Sequence, residues 1–248
     1  MATPKKTTRL KRIEELLADR GVLRLRDAAQ QLQVSEMTVR RTLAAHPQLF
    51  AYLGGYILSA SGVAGNARYS LQLEAGSHAE AKSRACAHAL TLVRQDDTIF
   101  IDCGTTLEHL AKQIPGTLSL TVICYSLNVA NHLANKPNIR LILLGGVFHA
   151  SSASFAGIDN GGGRSTSDLS CFGIHKAFIS AGGVDPQRGL SCSSTHEVAI
   201  KQQAMAVALE SHLVVDESKF NRLRPAMFAK LGALTSIITE RGIKPIKA

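Results

Sequence analysis

The first sixty residues carry apolar side chains at the spacing of short helices. Between Thr7 and Asp19 the apolar positions recur at intervals that share one helical face, which predicts a helix ended by Gly21. Asp27 then stands as a first-turn acid, and the apolar residues after it predict a second helix. The apolar positions of the two patterns are Leu10, Ile13, Leu16 and Leu17, then Ala28, Ala29 and Leu32.

A third helix is predicted after a short turn. Ser35 is a favourable N-cap, and Val39 and Leu43 are four residues apart, so both can face a core. Two helices joined by the turn from Leu32 to Ser35 have the size of a helix-turn-helix, whose second helix enters the major groove of DNA. The predicted DNA-binding residues are Ser35, Glu36, Met37, Thr38, Arg40 and Arg41. Either arginine can bond guanine edges or phosphates.

A hairpin is predicted directly after these helices. The segment from Leu49 to Leu58 contains two short apolar stretches around Gly54 and Gly55, as in the wing of a winged helix. Tyr52 and Tyr56 have two interpretations, which are contact with DNA and packing within the hairpin. A linker follows from Ser59 to Ser70, where small residues and glycine show no periodicity.

The remainder of the chain alternates apolar strands with helical patterns. Short apolar strands separated by helices predict a parallel sheet covered on both faces, in an α/β domain. The predicted domains are 1–58 for DNA binding, 59–73 as a linker, and 74–248 for ligand sensing. The predicted strands are Thr98 to Ile101, Leu118 to Cys124, Arg140 to Leu144, Lys176 to Ser180, His212 to Val215 and Ser236 to Thr239; the predicted helices are Lys82 to Val93, Thr106 to Gln113, Asn128 to Asn135 and His196 to Leu209.

Positive charge is concentrated in the predicted DNA-binding region. The chain has a formal net charge of +9, and residues 1–60 hold ten Lys and Arg against five Asp and Glu. A local excess of basic residues favours a polyanionic partner because it offsets phosphate repulsion and releases counterions. A basic, solvated helix face is the alternative interpretation.

Cysteine content and hydropathy predict a cytoplasmic location. The chain contains five cysteines, an odd and widely spaced number, which fits reduced thiols. The longest apolar run, from Leu118 to Tyr125, is far shorter than the roughly 20 residues that span a bilayer. Cys171 and His175 are four residues apart, but other histidines are scattered without i,i+4 partners or nearby carboxylate sets, so we predict no metal site. The sequence also lacks a nucleotide-binding motif, and no cofactor is expected.

The end of the first strand of the α/β domain is a candidate phosphate site. Asp102 and Cys103 lead through Gly104 directly into a helical pattern that begins with Thr105 and Thr106. Backbone N–H groups at a helix start, with threonine hydroxyls, can cradle a phosphate. A tight turn capped by threonine is the alternative. We assign Asp102 either to sugar hydroxyls or to holding the loop.

Other strand ends add candidate ligand residues. Ser126 and Asn128 follow the second strand and can cap the next helix or bind a ligand, and Gly145 and Gly146 permit either a close backbone approach or a plain turn. Lys219 follows a later strand, where a lysine can neutralise a phosphate, and Asp216 can orient it. Ligands of open parallel sheets collect at the carboxyl ends of strands, so these residues predict one anion site.

Several segments resemble the DeoR family of bacterial repressors. The stretch Val34 to Leu43, V-S-E-M-T-V-R-R-T-L, is similar to the family's recognition-helix pattern, although Thr42 replaces the usual aspartate. Tyr52 to Gly55 departs from the family's usual wing pattern, so the family's arginine contact is not carried over. In the α/β domain the D-C-G-T-T, C-Y-S-L-N, L-G-G-x-F-H-A-S and V-V-D-x-S-K-F segments resemble the family's effector domain.

The resemblance implies a repressor that binds double-stranded operator DNA and a small-molecule sugar phosphate. As a hypothesis, the protein is a homo-oligomer whose paired heads match spaced half-sites. The family's effector domain is related to ribose-5-phosphate isomerase, so the resemblance implies a phosphorylated pentose, first of all deoxyribose 5-phosphate. A sugar-phosphate isomerase is the alternative, with Glu197 as the general base. Against it, the isomerase's glycine-rich loop is not reproduced by Leu190 to Thr195, and an enzyme has no need of a DNA-binding head.

Overall fold

The computed structural model divides the chain into two compact units. The division falls between Ser70 and Leu71. The structure describes residues 10–17, 23–46, 49–53, 56–59, 78–159 and 165–246. The predicted helix end at Gly21, and the predicted linker apart from Ser59, lie outside these residues.

The first unit is built from three helices and a small antiparallel sheet. Helix α1 covers residues 10–17, α2 is Leu25–Gln31 and α3 is Glu36–Ala44. The strands are β1 (Leu23–Arg24), β2 (Phe50–Leu53) and β3 (Tyr56–Ser59), in the order β1-β3-β2. The predicted helices and hairpin are therefore present, whereas β1 was not predicted because two residues carry no detectable pattern.

An apolar core holds the helices of the first unit against its sheet. Helix α1 contributes Ile13, which is fully buried, and α3 contributes Val39 and Leu43. The hairpin contributes Phe50 and Ile57. The apolar positions that predicted the helices are thus the residues that join them, as expected when tertiary packing supplies most of the stability of short helices.

The second unit contains a seven-stranded sheet. Its strands are β4 (Thr98–Ile101), β5 (Leu120–Cys124), β6 (Ile139–Leu143), β9 (Ile174–Ile179), β12 (Ala208–Val214), β14 (Ser236–Thr239) and β15 (Gly242–Pro245). Their order in the sheet is β15-β14-β12-β9-β4-β5-β6, and all neighbouring strands are parallel except β14 and β15, which are antiparallel. The predicted α/β class is confirmed, with an antiparallel edge added.

Helices cover both faces of this sheet. They are α4 (Ala79–Leu90), α5 (Thr105–Gln113), α6 (Leu127–Leu133) and α7 (Val198–Val207). Successive residues of β4 enter two separate apolar clusters, Phe100 on one face and Ile99 and Ile101 on the other. None of the described helices combines the length and apolarity needed to cross a bilayer.

Two smaller β elements flank the main sheet. Strands β7 (Val147–His149) and β8 (Ser154–Ala156) form a hairpin, and β10 (Gly183–Asp185), β11 (Gly189–Cys192) and β13 (Ala226–Ala229) form a three-stranded sheet. Neither was predicted. The helix predicted over His196 to Leu209 was wrong at both ends, since His196 lies in a 3-10 turn and Leu209 belongs to β12.

Candidate functional site

The third helix of the first unit presents a polar face opposite its buried one. Ser35 caps it, because its Oγ accepts a hydrogen bond from Thr38 N over 3.2 Å. Thr42 is buried, and its hydroxyl donates to the Thr38 carbonyl over 2.9 Å, which satisfies a polar group inside the helix. Of the predicted DNA-binding residues, Thr38 is half-buried and the others are exposed, namely Ser35, Glu36, Met37, Arg40 and Arg41.

The predicted phosphate turn of the second unit lies where β4 ends and α5 begins. Gly104 has a φ of +107°, a conformation that L side chains rarely adopt, and a Cβ on it would lie 3.2 Å from Ser180 Oγ. Helix α5 starts at Thr105, so its free N–H groups are next to Gly104. Thr106 is buried. The turn thus has the backbone arrangement of an anion-binding helix start.

Lys82 reaches this turn from another helix. It lies in the first turn of α4, is fully buried, and its Nζ donates to Thr105 Oγ1 over 3.0 Å. An anion at the start of α5 would be stabilised by both the lysine charge and the helix dipole. No sequence pattern singles out this lysine, since a lysine on a helical pattern usually belongs to a solvated face.

Asp102 is fully buried and holds the ends of several strands together. Its Oδ1 accepts hydrogen bonds from Tyr125 OH at 2.5 Å and from Cys103 N at 2.8 Å. Its Oδ2 accepts from Ser180 N at 2.8 Å and is paired with the buried Lys201 Nζ. Of the two roles predicted for Asp102, these contacts match the holding of the loop rather than contact with sugar hydroxyls.

Burial and charge shift the pKa values of the groups around Asp102. Burial lowers the pKa of Lys201, but the charges of Asp102 and Glu197 outweigh that effect and raise it above its usual range. Desolvation raises the pKa of Glu197, and it raises those of Tyr125 and Cys103 well above their ordinary values. Lys201 therefore stays charged and the tyrosine and thiol stay neutral at pH 7, as a structural network requires.

The second predicted strand end is covered by the hairpin of β7 and β8. Ser126 is buried, caps α6 by accepting from Val129 N over 3.5 Å, and pairs with Ser154 of β8. Asn128 is half-buried in the first turn of α6. Of the two uses predicted for Ser126, the structure displays the cap.

The two predicted glycines after β6 have different surroundings. A Cβ on Gly146 would lie 1.9 Å from the Ala156 carbonyl oxygen, so the missing side chain admits the neighbouring strand. Gly145 has open space around its Cα, and its carbonyl accepts from Thr166 Oγ1 over 3.1 Å. The close approach expected of Gly146 is therefore to the chain's own backbone.

Lys219 stands at the same edge of the sheet as the Gly104 turn. It lies in a 3-10 turn, Glu217–Lys219, that follows β12, and it is 7% exposed. Strands β12, β9 and β4 are neighbouring and parallel, so their carboxyl ends share one edge and the outer two are about 10 Å apart. Asp216 caps the Lys219 turn through Oδ1, and its buried Oδ2 has no hydrogen-bond partner in the described part of the chain.

A pair of stacked histidines connects the hairpin to the residues before α7. The rings of His149 and His196 have centroids 3.7 Å apart and planes inclined by 8°. His196 Nε2 also lies 3.2 Å from Ser152 Oγ. Desolvation, with the nearby His149 and Lys201, lowers the pKa of His196, which favours a neutral His196 at pH 7. Within the described ranges, no three His, Cys, Asp or Glu side chains form a cluster that could hold a metal.

Comparison with known families accounts for both units. A family described as "DeoR-like helix-turn-helix domain" matches residues 9–59, and one described as "DeoR C terminal sensor domain" matches residues 77–241. The chain belongs to the DeoR family. The deoxyribose operon repressor of Escherichia coli K12 is 40% identical over 237 residues, covering 94% of this chain and 91% of the relative. A lactose phosphotransferase system repressor of Streptococcus mutans is 33% identical, with 95% and 92% coverage.

Solved structures that are similar to part of this chain include ribose 5-phosphate isomerase A from Methanocaldococcus jannaschii. It is 18% identical, with a TM-score of 0.42, and the match covers 58% of this chain and 55% of the isomerase, a little over half of its length. The Escherichia coli and Streptococcus mutans relatives, which match over more than 90% of their lengths, are repressors, so this DeoR-family protein is a DNA-binding transcriptional repressor and not an enzyme. Glu197, the candidate base, is buried with its Oε2 3.6 Å from Lys201 Nζ.

Proposed function

We propose that this repressor leaves its operator when a phosphorylated pentose binds its sensor domain, with deoxyribose 5-phosphate as the first candidate. In this proposal residues 1–58 bind double-stranded DNA and residues 74–248 bind the effector. The observation that carries the proposal is the buried Lys82 Nζ at 3.0 Å from Thr105 Oγ1, beside the positively polarised start of α5. The 40% identity to the deoxyribose operon repressor of Escherichia coli supports the choice of sugar.

The proposed phosphate-binding groups come from three elements. The Gly104 turn offers backbone N–H groups and the hydroxyls of Thr105 and Thr106, while Lys82 and Lys219 supply positive charge. Donors from a helix start and two lysines suit a dianionic phosphate, which gains more from charged partners than a neutral sugar does. Asn128 remains a proposed sugar contact, and Asp102 acts by holding the turn in place.

The proposed DNA contacts are made by the exposed face of α3. Glu36, Met37 and Ser35 lie at its start, where a recognition helix meets base edges, and Thr38, Arg40 and Arg41 follow. We propose that the protein is a homo-oligomer whose paired heads match spaced half-sites. An effector that binds more tightly to a form with misaligned heads lowers operator occupancy through its differential affinity alone.

A gel-shift titration tests the effector. The probe is the protein's own promoter region, and deoxyribose 5-phosphate, ribose 5-phosphate, glucose 6-phosphate and unphosphorylated deoxyribose are added separately. We expect the pentose phosphates to release the probe and deoxyribose to leave it bound. Lys219→Ala should keep operator affinity and require at least about tenfold more effector, since it removes a charge-assisted contact.

Lys230→Ala is the matched control, because Lys230 is an exposed lysine of the same domain. It should respond to the effector as the wild-type protein does. Normal release of Lys219→Ala would contradict the phosphate assignment, and release by no sugar phosphate would contradict the effector class.

A further inference from the structure

Arg224 is held in place by two hydrogen bonds that leave the end of its side chain unused. Its backbone N donates to Ser191 Oγ over 2.9 Å, and its Nε donates to the Gly182 carbonyl over 3.2 Å. Its two terminal amino groups make no hydrogen bond to any residue that the structure describes. Arg224 is half-buried, and the Nε hydrogen bond holds its guanidinium beside the Gly182 carbonyl.

A glycine makes room for this side chain. A Cβ on Gly182 would lie 3.0 Å from Arg224 Cγ and 3.6 Å from both Arg224 Nε and Ser193 Oγ. The stem of Arg224 therefore passes directly over the Cα of Gly182, with the Ser193 hydroxyl on the same side. A side chain at position 182 would displace the arginine.

Gly182 lies at the carboxyl end of the strand between the two proposed phosphate elements. Strand β9 ends at Ile179, and its neighbours in the sheet are β4 and β12. Ser180, two residues before Gly182, has its Oγ 2.7 Å from the Cys103 carbonyl oxygen, just before Gly104. Gly182, whose carbonyl anchors the guanidinium, therefore follows the same sheet edge as the Gly104 turn after β4 and Lys219 after β12.

We propose that Arg224 binds the phosphate oxygens of the effector through its two terminal amino groups. This inference rests on the proposed function and adds a residue to its site. A guanidinium offers a rigid fork that matches two oxygens of a phosphate, whereas the ammonium groups of Lys82 and Lys219 act as point charges. Since Nε is already bonded to Gly182, little side-chain freedom is lost when the fork binds an oxyanion.

Calorimetric binding of inorganic phosphate and of deoxyribose 5-phosphate at fixed ionic strength tests this role. The full chain is compared with Arg224→Gln and Arg224→Lys. Both variants should bind each phosphate about 10- to 100-fold more weakly than the wild-type protein. Glutamine lacks the positive charge, and lysine keeps the charge but lacks the two terminal amino groups of the guanidinium. Operator binding without effector and the thermal unfolding midpoint should stay close to the wild-type values.

Two further variants separate geometry from charge. Arg222→Gln removes the same charge from an exposed arginine two residues away and should bind both phosphates as the wild-type protein does. Gly182→Ala removes no charge but places a Cβ against Arg224 Cγ, so it should weaken phosphate binding in the same direction as Arg224→Gln.

The outcomes distinguish the role of Arg224 from the proposed class of effector. Wild-type affinity in Arg224→Gln, or an equal loss in Arg222→Gln, would overturn the role of Arg224 and leave the proposed effector class intact. Wild-type affinity for both phosphates in Arg224→Lys would show that the two terminal amino groups of Arg224 do not bind two phosphate oxygens. If Arg224→Gln lost affinity for deoxyribose 5-phosphate but not for inorganic phosphate, the fork would bind the sugar and the phosphate assignment would be wrong. Failure of the wild-type protein to bind either phosphate would contradict the proposed function itself.

Discussion

Asp102 and Lys201 form an ion pair that is entirely removed from solvent. Removing one member of such a pair leaves an uncompensated charge in the interior, which costs about 3–5 kcal/mol. We therefore expect Lys201→Met to lower the free energy of unfolding by about that amount. Chemical denaturation of the full chain, followed by circular dichroism, measures the change.

The matched control for this substitution is Lys112→Met. Lys112 pairs with Glu108 over 3.1 Å, but the lysine side chain is 47% exposed, so its loss should cost between 0 and about 1 kcal/mol. The double variant Asp102→Asn with Lys201→Met should regain only part of the stability, since the Asp102 charge is removed with its partner while buried Glu197 still loses its lysine. A Lys201→Met loss no larger than that of Lys112→Met would show that the pair does not hold the strand ends together.

Single residues differ in how much of their role a sequence reveals. Gly104 and Thr105 were selected because they stand between a predicted strand and a predicted helix, where a phosphate turn and a plain threonine-capped turn have the same local pattern. Lys82 and Lys201 were not, because each stands on a helix, and only the tertiary fold brings Lys82 to Thr105 and Lys201 to Asp102. The buried contacts of Asp102 match the holding of the loop, one of the two roles that the sequence left open.

The stability of helix α3 depends on its N-cap, Ser35. Ser35 Oγ accepts from Thr38 N, and the same hydroxyl lies 2.9 Å from Thr38 Oγ1. Ser35→Ala should lower the stability of the helix by about 1 kcal/mol, since it removes the cap, and should weaken operator binding. Ser35→Asp keeps a capping oxygen, so its stability should stay close to wild type, while its negative charge should repel the DNA phosphates.

Thermal unfolding and gel shift, measured side by side, separate these effects. Ser35→Asp with wild-type stability and weakened operator binding would assign Ser35 to the DNA-facing side of the helix. Tight operator binding by Ser35→Asp would place this residue away from the phosphates.

At the level of elements, the predicted strands of the main sheet are present because each has a continuous apolar run. Strand β4 was predicted with both its ends correct. The hairpin of β7 and β8 was missed because its strands have three residues each and Val147 and Phe148 are largely exposed. Leu209 misled the helix prediction, since it is an apolar residue with 80% exposure at the start of a strand. Pairing partners, rather than local pattern, determine such short elements.

Across the whole molecule, positive charge is concentrated in the DNA-binding region, so operator affinity should depend on salt concentration. Residues 1–60 hold a net charge of +5 of the total +9, and DNA binding by such a region releases counterions. The logarithm of operator affinity should therefore fall steeply and linearly with the logarithm of salt concentration, by a slope of about 0.9 per phosphate contact.

Arg40→Ala and Arg41→Ala distinguish the contacts that the two arginines make with DNA. A variant that loses a phosphate contact should show a salt-dependence slope reduced by about 1 and the same loss of affinity for every DNA sequence. A variant that loses a base contact should instead show relaxed specificity at one position of the operator. Effector binding, measured by calorimetry, should be unchanged in both variants. If neither variant altered operator affinity at any salt concentration, the exposed face of α3 would not be the DNA-binding surface.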